Sequence, residues 1–167
     1  IGDSVMVFFG DPETNGAKED AAACCDMAME MLSFLDKNQQ HVQETYNFPE
    51  KLEVRVGIHN GLCNVGNFGS AQRLDYTAIG RAVNVASRLE QAAPKNSILV
   101  SSAVHNLIKD KFETSSQIDV KAKGIDKPIA SYVLTKKTAA DKKIRKEIDG
   151  LKVEYDPQKI DKETLLK

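Results

Sequence analysis

Asn84 and Arg88 are the two residues whose types and spacing most directly suggest chemistry. They lie four residues apart in a segment with helical periodicity, so their side chains project together, with Cβ atoms roughly 6 Å apart. An amide and a guanidinium presented as a pair suit an anionic ligand rich in oxygen, because the guanidinium donates hydrogen bonds in a fixed, charged fork. The same spacing also fits the solvent-exposed side of an ordinary helix, so the pair alone leaves both interpretations open.

Other charged residues could contact such a ligand, and each is ambiguous alone. Asp3 follows a glycine, which is more typical of a turn than of a Mg²⁺ ligand, since Mg²⁺ sites normally add a second carboxylate and phosphate oxygens. Arg55 and Lys121 lie on the polar sides of predicted strands, where solvent exposure is the commoner role. His59 is more typical of a packed histidine than of a ligand. The chain has no G-x-x-x-x-G-K-[ST] loop, which excludes a Walker-type nucleotide site.

The stretch from Leu52 to Leu89 must position most of these residues. Apolar and polar residues alternate over Leu52–His59, which indicates a half-buried strand. Asn60-Gly61 then predicts a tight hairpin turn, with Leu62–Phe68 as the returning strand.

The second half of this stretch changes period. Gly69–Leu74 has the composition of a polar loop, and Asp75–Ile79 predicts a further extended segment that Gly80 ends. Helical periodicity begins at Arg81, with an apolar side formed by Val83, Ala86, Leu89 and Ala93.

The flanking segments complete the pattern. They predict a strand after a turn at Gly2-Asp3-Ser4, a long amphipathic helix, a buried strand, a short helix capped by Ser102 and a final antiparallel pair. In chain order these are Val5–Phe9, Ala17–Glu44, Ser97–Ser101, Ser102–Asp110, and Gln117–Lys123 with Pro128–Thr135. The long helix has an apolar stripe of Cys24, Ala28, Met31 and Leu35. Helices on one face of a mostly antiparallel sheet make this an α+β fold of ferredoxin-like type.

Composition limits the class of protein. The 167 residues can bury the core of one ordinary domain, and the net charge of −1 excludes the strongly basic surface typical of nucleic-acid or anionic-membrane binding. No apolar run of membrane-spanning length and no signal-peptide pattern occurs. We therefore expect a cytoplasmic domain, or the cytosolic part of a membrane-anchored protein. The three cysteines, Cys24, Cys25 and Cys63, lack metal-ligand spacing and are typical of reduced, mostly buried thiols.

Five segments in order resemble one known family. They are IGDSVMVFFGDP, VRVGIHNG, VGNFGS, RLDYTAIGRAVNVASRLE and VKAKGI. Over about residues 1–135 the chain resembles the catalytic domain of class III nucleotidyl cyclases, of the bacterial type with Thr before the AIG. The resemblance implies a ferredoxin-like core that pairs head to tail, with composite nucleotide sites at the dimer interface.

The resemblance also implies roles for individual residues. Asp3 matches the second of two metal-binding aspartates, in sites that hold two Mg²⁺ or Mn²⁺ ions. Arg55 and Lys121 match residues that hold the triphosphate, and Thr77 matches the base-reading position on the partner subunit. The hydroxyl of Thr77 can donate as well as accept, so it separates adenine from guanine poorly, although Thr here accompanies adenylate cyclases more often.

The helical pair receives the central roles. Asn84 matches the residue that orients the ribose, and Arg88 matches the arginine that stabilises the phosphorane-like transition state. The implied activity is conversion of ATP to 3′,5′-cyclic AMP and pyrophosphate in cyclic-nucleotide signalling. The alternatives are a guanylate cyclase, a non-catalytic cyclase-like module that binds nucleotide, and an α+β domain whose motifs coincide by chance.

The family pattern extends beyond this stretch. Its first metal aspartate and its base-reading lysine lie ahead of the I-G-D motif, together with the first strand and helices, so we expect them upstream. The stretch alone is expected to be inactive, and an upstream sensor or regulatory domain is expected. At the other end, Lys137–Ile148 predicts a charge-rich helix, and we interpret 136–167 as a linker, a tail or the start of a further module after a catalytic domain at 1–135.

Overall fold

The computed structural model describes residues 3–70, 72–121 and 128–138, and the backbone of 144–148 and 151–155. The helices in these ranges are α1 (Ala17–Tyr46), α2 (Arg81–Ala92) and α3 (Ser102–Ile108). The strands are β1 (Arg55–Ile58), β2 (Asn64–Ser70), β3 (Arg73–Ile79), β4 (Ser97–Ser101), β5 (Phe112–Thr114), β6 (Ile118–Val120), β7 (Ile129–Lys137), β8 (Ile144–Ile148) and β9 (Leu151–Tyr155). None of the helices described is long and apolar enough to cross a membrane.

The main sheet has five strands. Its order is β1-β4-β7-β5, and β6 also pairs with β7. β1 runs parallel to β4, whereas the β4–β7, β5–β7 and β6–β7 pairs are antiparallel. The predicted α+β class with a mainly antiparallel sheet is therefore confirmed.

The helices cover both faces of this sheet, whereas one covered face was predicted. Ile98 and Val100 of β4 pack in one cluster with α1 and α3, and Leu99 between them packs in a second cluster with α2. Because side chains of a strand alternate between faces, the two clusters lie on opposite sides of β4. Three consecutive apolar residues in a strand require cover on both sides, as in the buried strands of α/β sheets.

The hairpin predicted at Asn60-Gly61 is wrong. β1 pairs with β4, starting at Arg55 opposite Ser97, and β2 pairs with β3 instead. β2 and β3 form a separate two-stranded antiparallel sheet, called the ribbon below. It closes between Ser70 and Arg73, a two-residue connection inside the segment predicted as a polar loop. A turn dipeptide favours reversal of the chain locally, but β1 is paired with β4, and Ile58 of β1 is buried in one cluster with Ile98 and Val100 of β4.

The long helix is confirmed, and its predicted apolar side is confirmed in part. Ala28 is fully buried as predicted, but the other buried residues are Cys25, Ala21 and Ala22 rather than Cys24, and Met31 is 41% exposed. Burial raises the pKa of the Cys24 thiol to about 11 and of the Cys25 thiol to about 12. These two thiols are therefore uncharged. The expected burial holds for Cys25 and in part for Cys24, whereas Cys63 is exposed.

Three smaller predictions also change. Val5–Phe9 forms no strand and leaves Val5 84% exposed. The N-cap of α3 is Ser101 rather than Ser102, and its Oγ accepts a hydrogen bond from the Val104 amide. The charge-rich helix predicted over Lys137–Ile148 is absent from the described part of that segment, because β7 continues to Lys137 opposite Phe112 and residues 144–148 form β8.

Candidate functional site

Helix α2 rests directly on β1, and Gly57 makes this contact possible. A Cβ atom at Gly57 would lie 2.2 Å from the backbone nitrogen of Glu90 and 2.3 Å from the backbone oxygen of Ala86. Only glycine permits backbones to approach this closely. On the side facing the sheet, Val85 and Leu89 are buried. The helix is thereby fixed in height and rotation relative to β1.

Asn84 and Arg88 project from α2 one turn apart, next to its buried side. Asn84 is exposed, and its backbone amide donates to the Gly80 carbonyl at 3.4 Å. Arg88 is partly exposed, and its Nη1 donates to Gln91 Oε1 at 2.9 Å. Both functional groups are thus open to an anionic ligand, with Gln91 restraining the guanidinium from the following turn.

Two of the predicted phosphate-binding cations lie near the same helix. Arg55 begins β1, and its Nε is 3.7 Å from Glu90 Oε1, so it is paired with a carboxylate of α2. Lys121 is exposed and directly follows Val120, which packs against the α2 residues of the second cluster. Arg55 therefore contacts α2 through Glu90, whereas Lys121 is placed only by its neighbour Val120, and neither has a described contact with Asn84 or Arg88. Glu90 was not found from the sequence, because nothing local shows that a helical glutamate faces the start of β1.

Thr77 lies on the separate two-stranded ribbon. It is paired with Gly66 of β2 and is half-buried. Its neighbour Tyr76 lies on the other side of the ribbon and is 54% exposed. Thr77 is joined to α2 by the short run through Gly80, so the ribbon and the helix share one continuous segment of chain.

Asp3 lies outside the helices and strands. It is exposed in a turn, and the described residues contain no group of three or more His, Cys, Asp or Glu side chains placed to hold a metal ion. A carboxylate matches the oxygen ligands that Mg²⁺ prefers, so Asp3 fits such an ion in donor type. One carboxylate falls short in number, and further ligands would have to come from elsewhere.

His59 is half-buried, in agreement with the prediction that it is a packed histidine rather than a ligand. Its Nδ1 is 2.9 Å from Ser101 Oγ, which connects the end of β1 to the N-terminus of α3. Burial, together with the nearby positive charge of Arg81, lowers the pKa of the imidazole. The ring is therefore neutral at physiological pH.

This lowered pKa predicts a loss of stability in mild acid. At a pH below the ordinary histidine pKa, the unfolded chain binds a proton at His59 more readily than the folded chain does. The free energy of unfolding therefore falls as the pH drops below that value. We expect the free energy of unfolding to fall more steeply between about pH 7.5 and about pH 5.5 in the wild type than in His59→Gln. Urea unfolding at several pH values measures this, and parallel profiles for the two proteins would contradict it.

Comparison with protein families adds independent information. Residues 1–136 match the family described as the adenylate and guanylate cyclase catalytic domain. Over 137 residues the chain is 36% identical to an adenylate cyclase of Anabaena cylindrica, covering 79% of this chain and 26% of that protein. It is 34% identical over 142 residues to the receptor-type guanylate cyclase gcy-23 of Caenorhabditis elegans, covering 80% of this chain and 12% of that protein. The chain thus spans about a quarter or less of these relatives.

Solved structures give the same picture. The adenylyl cyclase CyaB from P. aeruginosa superposes with a TM-score of 0.71 at 41% identity, over 76% of this chain and 64% of that one. The guanylyl cyclase Cya2 superposes with a TM-score of 0.70 at 27% identity, over 78% and 64%.

Proposed function

Because the chain belongs to the adenylate and guanylate cyclase catalytic domain family, we propose that its protein converts ATP to 3′,5′-cyclic AMP and pyrophosphate. The observation that carries the proposal is the presentation of Asn84 and Arg88, one turn apart, on helix α2, which is seated on β1 and is paired to Arg55 through Glu90. An amide, a guanidinium and a second cation arranged around one helix suit a nucleoside triphosphate. We place the catalytic domain at residues 1–135.

In this reaction the ribose 3′-oxygen attacks the α-phosphorus in line, and pyrophosphate leaves. Asn84 orients the ribose, and Arg88 lies where negative charge grows, so its stabilisation is larger in the transition state than in the ground state. Both act from one rigid helix, which limits the entropy lost in aligning the reacting atoms. Arg55 and Lys121 hold the triphosphate, and Glu90 keeps the Arg55 side chain close to α2.

Asp3 would supply one carboxylate ligand to Mg²⁺ or Mn²⁺, two ions per site. Bound there, such ions neutralise phosphate charge and lower the pKa of an attacking hydroxyl. The remaining ligands would be phosphate oxygens and a second carboxylate.

The site is proposed to be shared between two copies of the chain paired head to tail. Apolar side chains on the ribbon and on the loop before it are exposed, with Leu62 98%, Leu74 60% and Ile79 48% accessible. Exposed large apolar side chains are common in interaction surfaces. Pairing would bring Asp3 of one copy toward Asn84 and Arg88 of the other, and an upstream sensor or regulatory domain would control it.

ATP is favoured over GTP by the higher identity to the adenylyl cyclase structure, 41% against 27% for the guanylyl cyclase. The test is product analysis of the full-length protein with ATP and GTP, in Mg²⁺ and in Mn²⁺. Cyclic AMP as the main product supports the proposal. Cyclic GMP as the only product would instead make GTP the substrate. Nucleotide binding without either product supports a regulatory module, which the single carboxylate at Asp3 also permits.

Thr77→Ala should change the choice of base more than the rate. Loss of one neutral hydrogen bond of about 0.5–1.5 kcal/mol corresponds to an ATP/GTP preference altered by about 2- to 10-fold. The measurement is kcat/KM for both nucleotides. Ser70→Ala removes a hydroxyl from the same ribbon, at its closed end, and should leave the preference unchanged. An unchanged ATP/GTP preference in Thr77→Ala would contradict the proposed base-reading role of Thr77.

A further inference from the structure

The segment that carries Asp3 is attached to the ribbon through Tyr76. The Tyr76 hydroxyl donates a hydrogen bond to the Asp11 carboxylate, and its ring lies 6.1 Å from the ring of Phe8, centroid to centroid, at an interplanar angle of 47°. Both partners belong to the stretch that follows Asp3. Residues 4–9 form no strand, so side-chain contacts of this kind contribute to holding them in place.

The two faces of the ribbon therefore make different contacts. Tyr76 and Thr77 are consecutive residues of β3, so their side chains point to opposite faces. One face holds the Asp3 segment through Tyr76, while the other presents Thr77. A displacement of the ribbon would move both groups together.

The hydrogen bond between the Tyr76 hydroxyl and the Asp11 carboxylate has a clear donor and acceptor. Hydrogen bonding to the Asp11 carboxylate, aided by its negative charge, raises the pKa of the Tyr76 phenol. The hydroxyl thus stays protonated and donates to an ionised acceptor, the stronger class of hydrogen bond. Phenylalanine at this position keeps the ring and removes the donor alone.

We propose that Tyr76 is a positioning residue that holds the Asp3 segment against the ribbon through Asp11 and Phe8. This inference rests on the proposed function for the role of Asp3 toward a metal ion. In a head-to-tail pair, Asp3 serves one nucleotide site and Thr77 serves the other. The Tyr76–Asp11 bond then connects the metal end of one site to the base end of the second.

The first measurement is limited chymotrypsin digestion of the full-length protein, with cleavage at Phe8 and Phe9 followed by mass spectrometry. Tyr76→Phe should be cut there about 2- to 10-fold faster than the wild type, the range expected for one lost hydrogen bond. Asp11→Ala should behave alike, and the double variant should be no worse than the faster single variant, because the two residues form one interaction.

The matched control is Tyr46→Phe. Tyr46 is also exposed and also contacts a phenylalanine, Phe48, with ring centroids 6.3 Å apart. It lies at the end of α1, so its substitution should leave cleavage at Phe8 and Phe9 unchanged. Additive effects of Tyr76→Phe and Asp11→Ala, or equal cleavage in Tyr76→Phe and the wild type, would overturn the inference.

The second measurement is the Mn²⁺ concentration that gives half the maximal rate. Tyr76→Phe should raise this concentration by about 2- to 10-fold, because the loss of one hydrogen bond lowers the fraction of molecules in which Asp3 is held in place. Faster cleavage with an unchanged Mn²⁺ requirement would make Tyr76 merely structural and would overturn its positioning role. A wild type that forms no cyclic nucleotide at all would refute the proposed function, and the digestion results would still decide whether Tyr76 holds the segment.

Discussion

Arg88→Ala should lower the maximal rate of cyclic-nucleotide formation by on the order of 10²-fold and leave ATP affinity nearly unchanged. The reason is that the guanidinium meets negative charge that develops only in the transition state, and removal of one such donor typically costs 10²- to 10³-fold, roughly. The measurement is kcat and KM for ATP, supported by direct nucleotide binding. An interaction made equally in the ground state would instead raise KM.

Two variants serve as controls for Arg88→Ala. Gln91→Ala removes the hydrogen-bond partner of Arg88 and keeps the guanidinium, so its rate should fall far less. Arg73→Ala removes an arginine that is 86% exposed at the end of the ribbon and should have little effect. A large loss of affinity in Arg88→Ala with little loss of rate would contradict the assigned role.

Gly57→Ala should both destabilise the domain and disable it. The added methyl would have to occupy space within 2.3 Å of two backbone atoms of α2, and backbone cannot rotate away as a side chain can. Overpacking of this kind typically costs about 1–3 kcal/mol in the free energy of unfolding. A shift of α2 by about 1 Å would misplace Asn84 and Arg88 and reduce the rate by about 10²-fold. Urea unfolding and steady-state kinetics measure the two effects.

Gly66→Ala is the matched control for stability. The nearest atom to a Cβ at Gly66 is a carbon of the Phe68 ring at 3.9 Å, an ordinary van der Waals contact. Its free energy of unfolding should stay within about 0.5 kcal/mol of the wild type. If both alanine variants were equally stable, the close approach of α2 to β1 would not be what Gly57 provides.

Local pattern was enough to predict the elements around the candidate site. The switch from alternating to helical periodicity at Arg81 predicted α2 and placed Asn84 and Arg88 on one side of it, as the structure has them. The apolar run at Ser97–Ser101 predicted β4 to the residue. These signals are strong because burial imposes a period on neighbouring residues.

Strand pairing and long-range contacts could not be predicted in the same way. Asn60-Gly61 is a good turn sequence, yet β1 pairs with β4, about forty residues away, because pairing depends on the surface that two segments bury together. The Arg55–Glu90 and Tyr76–Asp11 contacts join distant segments and leave no local trace. The metal-binding, phosphate-binding and base-reading roles remain predictions, since under the proposed function they depend on a second copy of the chain and on bound nucleotide.

The unequal cover of the two faces of β4 has a consequence for motion. Among the described residues, eleven buried side chains form the cluster with α1 and α3, and five form the cluster with α2. Since local opening is easiest where fewest apolar contacts are lost, amide protons of α2 should exchange with solvent before those of the buried turns of α1. The helix proposed to carry catalysis would then be the first layer to open, while the opposite layer keeps the sheet intact.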